Sequence, residues 1–230
     1  MSKNAFWGIL TALVGLSAVL RIIGIDHQSF WIDEIASLSM AQDELTGDFS
    51  RLRSDVHPPL YFLLLGLWTD IFGSSEAAVR MLSVLPSLAA VVVLARLGAR
   101  LYGARAGLFA AGLASVSLLQ IYYAQEGRSY AWMMLFGLLS SDALVRWRMR
   151  GQPGSAVAYV GWTTALLYTH YFGFLLLAAQ ALYVTGLLLP KGNRNQPGTI
   201  SPRRIVAGWS LAILAIGILF LPWLSVLLDQ

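Results

Sequence analysis

Long apolar runs separated by short polar segments cover most of the 230-residue chain. Seven of these runs come close to the ~20 residues that a helix needs to cross a bilayer. They cover approximately residues 5–25, 82–101, 104–122, 129–146, 155–170, 172–189 and 205–222. This pattern predicts an all-α integral membrane protein, with about seven transmembrane helices in one domain over residues 1–230.

An eighth apolar run, at residues 58–73, is short, begins with two prolines and contains Asp70. Loops on the cytoplasmic side of a membrane are enriched in lysine and arginine. The basic clusters lie on the same side as Lys3 if residues 58–73 do not cross, and on the opposite side if they do. These clusters are Arg96, Arg100 and Arg105, then Arg146, Arg148 and Arg150, and then Lys191, Arg194, Arg203 and Arg204. We therefore predict a half-embedded interfacial helix at residues 58–73, within a first outer loop at 26–80 that carries the juxtamembrane helices.

The composition supports a membrane location and excludes several kinds of site. The chain is 57% hydrophobic and 12% charged, whereas soluble domains carry about 25% charged residues. The absence of cysteine excludes disulfides and thiolate metal sites. The net charge of +4 is divided among short clusters between apolar runs, so no nucleic-acid partner is expected.

Asp33 and Glu34 form an acidic pair in the first polar segment. We predict that Ser29 caps an amphipathic helix that runs from Phe30 towards Gln42, with both acids in its first turn. Adjacent residues on a helix point about 100° apart, so one carboxylate faces the bundle while the other faces outward. The simpler interpretation is that both acids only complement the positive end of the helix.

Other polar side chains fall on the same predicted outer face, and each has a simpler structural interpretation. Arg128 stands at the mouth of a predicted span, where arginine often reaches for the interface. His57 stands on a proline-rich turn, and His170 can be an ordinary interfacial histidine. Arg80 lies one helical turn after Glu76, a spacing typical of a local ion pair.

Six short motifs occur in an order that resembles a known enzyme group. The motifs are RIIG at 21–24, SFWIDE at 29–34, HPPLY at 57–61, SEAAVR at 75–80, YAQEGRSY at 123–130 and YTHYFG at 168–173. Together they resemble the membrane glycosyltransferases of the GT-C type, and more closely the protein mannosyltransferase and aminoarabinose transferase group. Members of that group are usually much longer, so the resemblance implies that this chain corresponds to their N-terminal part.

The resemblance implies a seven-helix module with two helices lying along the membrane in its first outer loop. It also implies a polyprenyl-phosphate sugar donor used on the outer face, with Asp33 as the catalytic carboxylate. The acceptor is then a lipid, a glycan or a protein, and the location is the inner membrane of a bacterium. No cofactor is predicted, although a divalent metal remains an open alternative.

Sugar transfer from a phospholipid donor requires a base for the acceptor proton and a cation for the departing phosphate. Asp33 suits the first role and Arg128 the second, in a single displacement with inversion. The predicted catalytic residues are Asp33 and Glu34, and the predicted substrate-binding residues are His57, Arg80, Glu126, Arg128, Tyr130, His170 and Tyr171.

Three alternatives remain. A non-catalytic binder of lipid-linked sugars, or an accessory membrane subunit, would use the same arginine and the same outer face. A transporter needs ionisable groups at mid-membrane, whereas the acids here lie at one edge. A metalloenzyme built on His27, His57, His170 and Asp33 is possible in principle, but their spacing matches no compact metal motif.

Overall fold

The computed structural model describes residues 1–45, 57–188 and 201–229, and these residues form ten α-helices and no β-strand. The predicted all-α membrane fold is confirmed. Part of the predicted outer loop 26–80 and the end of the predicted span 172–189 fall outside the described residues. The helices are α1 Lys3–Ile22, α2 Ile32–Leu45, α3 Leu60–Phe72, α4 Glu76–Tyr102, α5 Ala104–Val116, α6 Leu118–Ala124, α7 Tyr130–Arg150, α8 Pro153–Leu167, α9 Gly173–Gly186 and α10 Pro202–Asp229.

Three of the described helices, α1, α4 and α10, are both long and apolar enough to cross a membrane. The pair formed by α5 and α6 makes a fourth if the two are one broken span. Apolar α3 and α9 have 13 and 14 residues, or about 20 Å at ~1.5 Å per residue, which is shorter than the ~30 Å hydrocarbon core. The seven-span count therefore stays a prediction.

A seam of small residues on α5 forms a close helix contact. Gly107 is so near to α4 that a Cβ atom on it would lie 2.2 Å from the carbonyl oxygen of Ala95. Ala111 and Ser115 continue the seam and are fully buried. Small side chains allow helix backbones to approach in this way, and the contact joins α5 to α4 next to α1.

The predicted span at 104–122 is wrong in one respect, because it is broken into α5 and α6, which meet at 62°. Arg21, at the end of α1 and fully buried, reaches into the break. Its guanidinium donates to the carbonyl oxygens of Ala114 and Ser115, both at 3.0 Å, and to Ser87 Oγ at 2.8 Å. These bonds replace helical ones at the end of α5, and they set the direction in which α6 leads to the loop at 125–129.

A second set of contacts joins the later helices through buried polar side chains. Tyr159 of α8 donates to Gln180 Oε1 of α9 at 2.9 Å, and Gln180 Nε2 donates to Ser140 Oγ of α7 at 3.0 Å. Trp209 of α10 donates to the Tyr159 hydroxyl at 2.9 Å. Hydrogen bonds between helices satisfy polar groups that the apolar surroundings cannot, so α7 to α10 form one packed unit.

Candidate active site

Asp33 and Glu34 lie in the first turn of α2, as predicted, and point in different directions. The helix starts at Ile32, two residues later than predicted. Glu34 Oε2 accepts the backbone N–H of Trp31 at 3.4 Å. Because the helix starts at Ile32, Ser29 lies too far before it to be the N-cap, so the predicted cap is wrong. Glu34 is 1% exposed, whereas the side chain of Asp33 is 40% exposed.

Glu34 forms a two-bond ion pair with Arg80 of α4. Arg80 Nε donates to Oε1 at 2.9 Å and Nη2 donates to Oε2 at 2.8 Å. The remaining N–H groups of Arg80 donate to backbone carbonyls, to Ile25 at 2.8 Å, Gln28 at 2.7 Å and Ser29 at 3.3 Å. All five donors of the guanidinium are thus used. Arg80 therefore holds the segment between α1 and α2 against α4, rather than closing a local pair with Glu76.

The loop between α6 and α7 completes the surroundings of Glu34. The backbone N–H of Gly127 donates to Glu34 Oε1 at 2.8 Å. A Cβ atom on Gly127 would lie 2.7 Å from Val79 Cγ1 and 3.3 Å from Glu34 Oε1, so the close approach requires glycine. Burial acts to raise the pKa of Glu34, but the Arg80 and Gly127 hydrogen bonds outweigh it and hold this pKa below its ordinary value.

On the other side of α2, Arg128 contacts Asp33, Ser37 and His57. Its Nη2 lies 3.9 Å from Asp33 Oδ2, and its Nη1 donates to the Asp33 backbone carbonyl at 3.3 Å. Nη1 also donates to Ser37 Oγ at 3.3 Å, and Nη2 lies 3.4 Å from His57 Nε2. The side chain of Arg128 is 11% exposed. The result is a half-exposed carboxylate next to a largely buried cation.

Three aromatic side chains lie beside this pair. The rings of His57 and His170 have centroids 5.9 Å apart, and Tyr130 lies 5.9 Å from His170 on another side. Burial is the main reason that the pKa of His170 falls to about 4, and the charges of His57 and Arg128 act in the same direction. His170 Nδ1 accepts the backbone N–H of Phe172 at 3.1 Å, which requires an unprotonated nitrogen. His170 is therefore neutral at pH 7.

Two predicted residues lie away from this cluster. Tyr171 accepts a hydrogen bond on its hydroxyl from Trp223 Nε1 of α10 at 3.0 Å and packs against the core. Glu126, which is 6% exposed, faces the other side of the Glu34–Arg80 pair. There it lines a cavity of about 450 Å³ with Gly24, Ile25, His27, Gln28, Ser29, Trp31, Glu34, Arg80, Tyr122 and Gln125.

The structure also shows partners that the sequence reasoning missed. Ser37 lies one helical turn after Asp33, so its spacing was a usable signal that it shares the face of Asp33. Ser83 donates to the Arg128 backbone carbonyl at 3.3 Å. No local sequence pattern predicts this long-range hydrogen bond. Within the described ranges, no group of three or more histidine, aspartate or glutamate side chains is placed to hold a metal ion.

The sequence profile of the dolichyl-phosphate-mannose-protein mannosyltransferase family matches residues 56–225, which is more than half of the chain. The chain belongs to this family. It is therefore an integral membrane glycosyltransferase of the GT-C type, which uses a sugar donor and an acceptor. Neither the curated proteins nor the solved structures contain a match to it.

The family match covers seven of the predicted site residues, namely His57, Arg80, Glu126, Arg128, Tyr130, His170 and Tyr171. It begins after α2, so Asp33 and Glu34 lie outside it. Membership in the family thus says nothing about the acidic pair, and the case for Asp33 rests on its resemblance motif and on its position beside Arg128 and His57.

Proposed function

We propose that this chain moves a sugar from a polyprenyl-phosphate donor to an acceptor on the outer face of the membrane, with Asp33 as the general base. The observation that carries the proposal is the pairing of a 40% exposed Asp33 carboxylate with Arg128, whose Nη2 is 3.9 Å away. Glycosyl transfer from a phosphate needs a proton acceptor and a cation in one place. Asp33 and Arg128 supply both.

The proposed reaction is a single displacement. The acceptor oxygen or nitrogen attacks the anomeric carbon and gives its proton to Asp33, while the bond from that carbon to the phosphate oxygen breaks. Polyprenyl phosphate leaves with the electron pair, and Arg128 stabilises its negative charge. One carboxylate acting as a base, with no second carboxylate acting as a nucleophile, leads to inversion at the anomeric carbon.

Arg128 has long, replaceable contacts that suit a phosphate ligand. Its distances to Asp33 Oδ2 and His57 Nε2 are 3.9 and 3.4 Å, which are longer than the charge-assisted bonds of ~2.7–2.9 Å that a phosphate oxygen makes with arginine. A phosphate between Arg128 and His57 would release Asp33 to accept a proton. His170 is neutral, so it contributes a hydrogen bond rather than a charge, and Tyr130 beside it is proposed to contact the sugar.

Glu34 and Arg80 have a different proposed role. Every donor of Arg80 is occupied by protein atoms, and both oxygens of Glu34 are bound. These two residues are positioning residues, because they fix the start of α2 and thereby the place of Asp33, without touching the substrate.

An apolar groove suits part of the lipid tail. It has a volume of about 270 Å³ between α3, α4 and α7, and its lining is Leu64, Leu67, Trp68, Ile71, Leu82, Leu85 and Trp132. Isoprenoid chains carry no polar atoms that need partners, so such a lining stabilises them by burial alone. We propose that the chain segment next to the donor phosphate lies here.

The decisive experiment is turnover of a labelled polyprenyl-phosphate sugar by the full chain in lipid nanodiscs. We expect release of polyprenyl phosphate, and a rate lower by about 10²–10⁴-fold in Asp33→Asn. Asp70→Asn, at an exposed aspartate of α3, is the matched control and should keep the parental rate. Equal rates for Asp33→Asn and the parent would remove Asp33 as the base.

The same experiment separates the enzyme from a non-catalytic binder of lipid-linked sugars. A binder would retain the labelled donor and would release no polyprenyl phosphate with any acceptor. The Arg128→Ala variant of a binder would no longer retain the donor. Saturable retention without release would therefore replace the enzymatic proposal by the accessory-subunit alternative.

A further inference from the structure

The cavity of about 450 Å³ that Glu126 lines is distinct from the Asp33–Arg128 cluster. The ion pair of Glu34 and Arg80 lies between the two, because both of these residues line the cavity while Asp33 and Arg128 do not. Its other walls come from the segment between α1 and α2 and from the end of α6. This volume is in the range of small-molecule sites, and the glycosyl transfer proposed above makes no use of it.

Glu126 carries a carboxyl group with an unsatisfied oxygen. It is 6% exposed, and its Oε2 is buried without a hydrogen-bond partner among the described residues. The Tyr122 hydroxyl lies against the carboxyl group. Buried polar atoms are nearly always paired, and an unpaired carboxylate is among the most costly groups to bury. Such an oxygen is placed to accept a hydrogen bond from a ligand in the cavity.

Neither neighbouring arginine supplies that donor. Arg80 uses all five of its N–H groups on Glu34 and on backbone carbonyls, and Arg128 directs its own at Asp33, Ser37 and His57. The charges of Glu34 and Arg80 cancel one another, so Glu126 leaves the cavity lining with an excess negative charge. A cationic ligand in the cavity would therefore meet a carboxyl group to which neither arginine donates.

The cavity walls indicate what kind of cation fits. Trp31 and Tyr122 line the cavity and are 45% and 56% exposed, so their rings remain available to a ligand. An ammonium group is attracted both to a carboxylate and to the faces of aromatic rings. A bare divalent ion would need further oxygen or nitrogen ligands, and no group of three such acidic or histidine side chains occurs in the described part of the chain.

We propose that this cavity binds a primary ammonium group, which donates to Glu126 and lies against Trp31 and Tyr122. The group can belong to a small free amine or to an ethanolamine lipid headgroup. Both sources are reasonable because the cavity lies at the ends of α1 and α6, where the chain is predicted to leave the membrane on the outer side. The proposal does not depend on sugar transfer.

The pKa of Glu126 gives a second consequence. Burial raises this pKa, the carboxylates of Glu34 and Asp33 raise it further, and Tyr122 and Arg128 oppose them. His27 is the remaining titratable side chain of the lining. An ammonium binds the ionised carboxylate, so its affinity should fall as the pH falls through the pKa of Glu126.

The first test is equilibrium dialysis of the full chain, in detergent, against labelled ethanolamine. We expect saturable binding that weakens at least about tenfold, or ~1.4 kcal/mol, in Glu126→Gln, which keeps the shape and removes the charge. Asp70→Asn, at an exposed acid on α3, should bind as the parent does. Equal affinity in Glu126→Gln and the parent, or no saturable binding by the parent, would overturn the proposal.

Two further measurements do not depend on the folding of a variant. Binding by the parent should weaken as the pH is lowered from 8 towards 5, which is about the window above the ordinary glutamate pKa, and pH-independent binding would contradict the proposal. Glycerol, a neutral probe of similar size, should not compete with ethanolamine. If it competes equally, the cavity takes hydroxyl groups and the ammonium assignment is wrong.

Native mass spectrometry of the chain taken from nanodiscs then identifies the source of the amine. Retention of phosphatidylethanolamine over phosphatidylglycerol, lost in Glu126→Gln, assigns the cavity to a lipid headgroup. If no lipid is retained while free ethanolamine binds, the ligand is a small soluble amine. Retention of both lipids to the same extent, unchanged in Glu126→Gln, would count against an ammonium site.

Discussion

Asp33 and Glu34 are consecutive residues, yet the two sides of α2 on which they lie differ in almost every physical respect. On the Glu34 side the carboxylate is 1% exposed, and two bonds to Arg80 and one to Gly127 fix it. On the Asp33 side the carboxylate is 40% exposed, and its nearest cation is 3.9 Å away. The buried side is a structural joint, whereas the open side is free to change partners.

The difference shows how one short acidic motif can serve both stability and chemistry. A carboxylate whose oxygens are saturated by protein donors cannot accept a proton from a substrate without breaking the fold. A carboxylate held loosely by one arginine can accept that proton. The joint is nevertheless useful to the chemistry, because it fixes the first turn of α2 and hence the backbone of Asp33.

The largest expected effect is that of Glu34→Ala, which removes the ion pair between Glu34 and Arg80. This change leaves the guanidinium of Arg80, which is 5% exposed, buried without its counter-ion, and breaking a buried pair in this way costs about 3–5 kcal/mol. We expect a corresponding fall in the free energy of unfolding, measured by unfolding in mixed detergent micelles. Asp33→Ala removes the neighbouring acid and should change the free energy of unfolding by less than about 1 kcal/mol.

The double variant Glu34→Ala/Arg80→Met tests the same joint from the other side. It removes both charges, so it should recover part of the stability that Glu34→Ala loses. If Glu34→Ala and Asp33→Ala destabilise the protein equally, the two sides of α2 do not differ in the way described.

Gly127→Ala is expected to have the next largest effect. The new methyl group would meet Val79 Cγ1 at 2.7 Å, and overpacking of this kind costs about 1–3 kcal/mol. Val79→Ala in the same chain removes the obstacle and should restore much of the stability. Gly161→Ala is the control, because a Cβ atom there meets nothing within 4 Å. Unchanged stability in Gly127→Ala would mean that the loop moves away easily.

Sequence reasoning predicted the different directions of Asp33 and Glu34 because helical geometry alone determines them. It could not choose the partner of Arg80. Glu76 is one helical turn away, while Glu34 is 46 positions away in the chain, and nothing local marks the distant pair. The long-range pair prevails because Arg80 also binds three carbonyls of the segment before α2, and these contacts exist only once the chain has folded.

The broken helix between α5 and α6 was hidden for a similar reason. Hydropathy treats residues 104–122 as one continuous apolar run, since neither Ser115 nor Ser117 interrupts it. The bend is stabilised by Arg21, which donates to the carbonyl oxygen of Ala114 although the two residues are 93 positions apart in the chain. Hydropathy is evaluated one segment at a time, so it cannot include a hydrogen-bond donor from another helix. The all-α class was therefore predicted correctly, but this break was not.

Ser37→Ala should have a smaller effect, confined to the open side of α2. Ser37 donates to the Asp33 carbonyl at 2.8 Å and accepts from Arg128 at 3.3 Å. Loss of the second bond costs about 1 kcal/mol in the placement of Arg128, so we expect a several-fold rise in the KM for the lipid-linked donor with little change in stability. An unchanged KM would show that Ser37 does not hold Arg128.

The matched control for Ser37→Ala is Ser210→Ala in α10. Ser210 makes the same backward bond to its own helix, to the Val206 carbonyl at 3.1 Å, and it is exposed. Ser210→Ala removes only a serine's hydrogen bond to its own helix and no contact with Arg128, so this variant should leave the KM unchanged.

A further expected effect is a pH dependence of stability that differs between the two sides of α2. Burial lowers the pKa of His170 to about 4 in the folded chain, compared with an ordinary value of about 6.5 when unfolded. Between these two values the unfolded chain binds the proton and the folded chain does not, so stability should fall as the pH drops through this window. On the buried side, Glu34 has a lowered pKa, so its contribution is lost only at lower pH, below the ordinary glutamate value.

His170→Asn separates the two contributions. Asparagine can keep an acceptor for the Phe172 N–H but has no proton to gain, so the fall in stability between about pH 6.5 and 4 should flatten. The loss at still lower pH, which Glu34 causes, should remain. If His170→Asn and the parent lose stability in parallel across the whole range, His170 is not buried as a neutral ring, and the open side of α2 is wetter than the contacts of Arg128 and His57 imply.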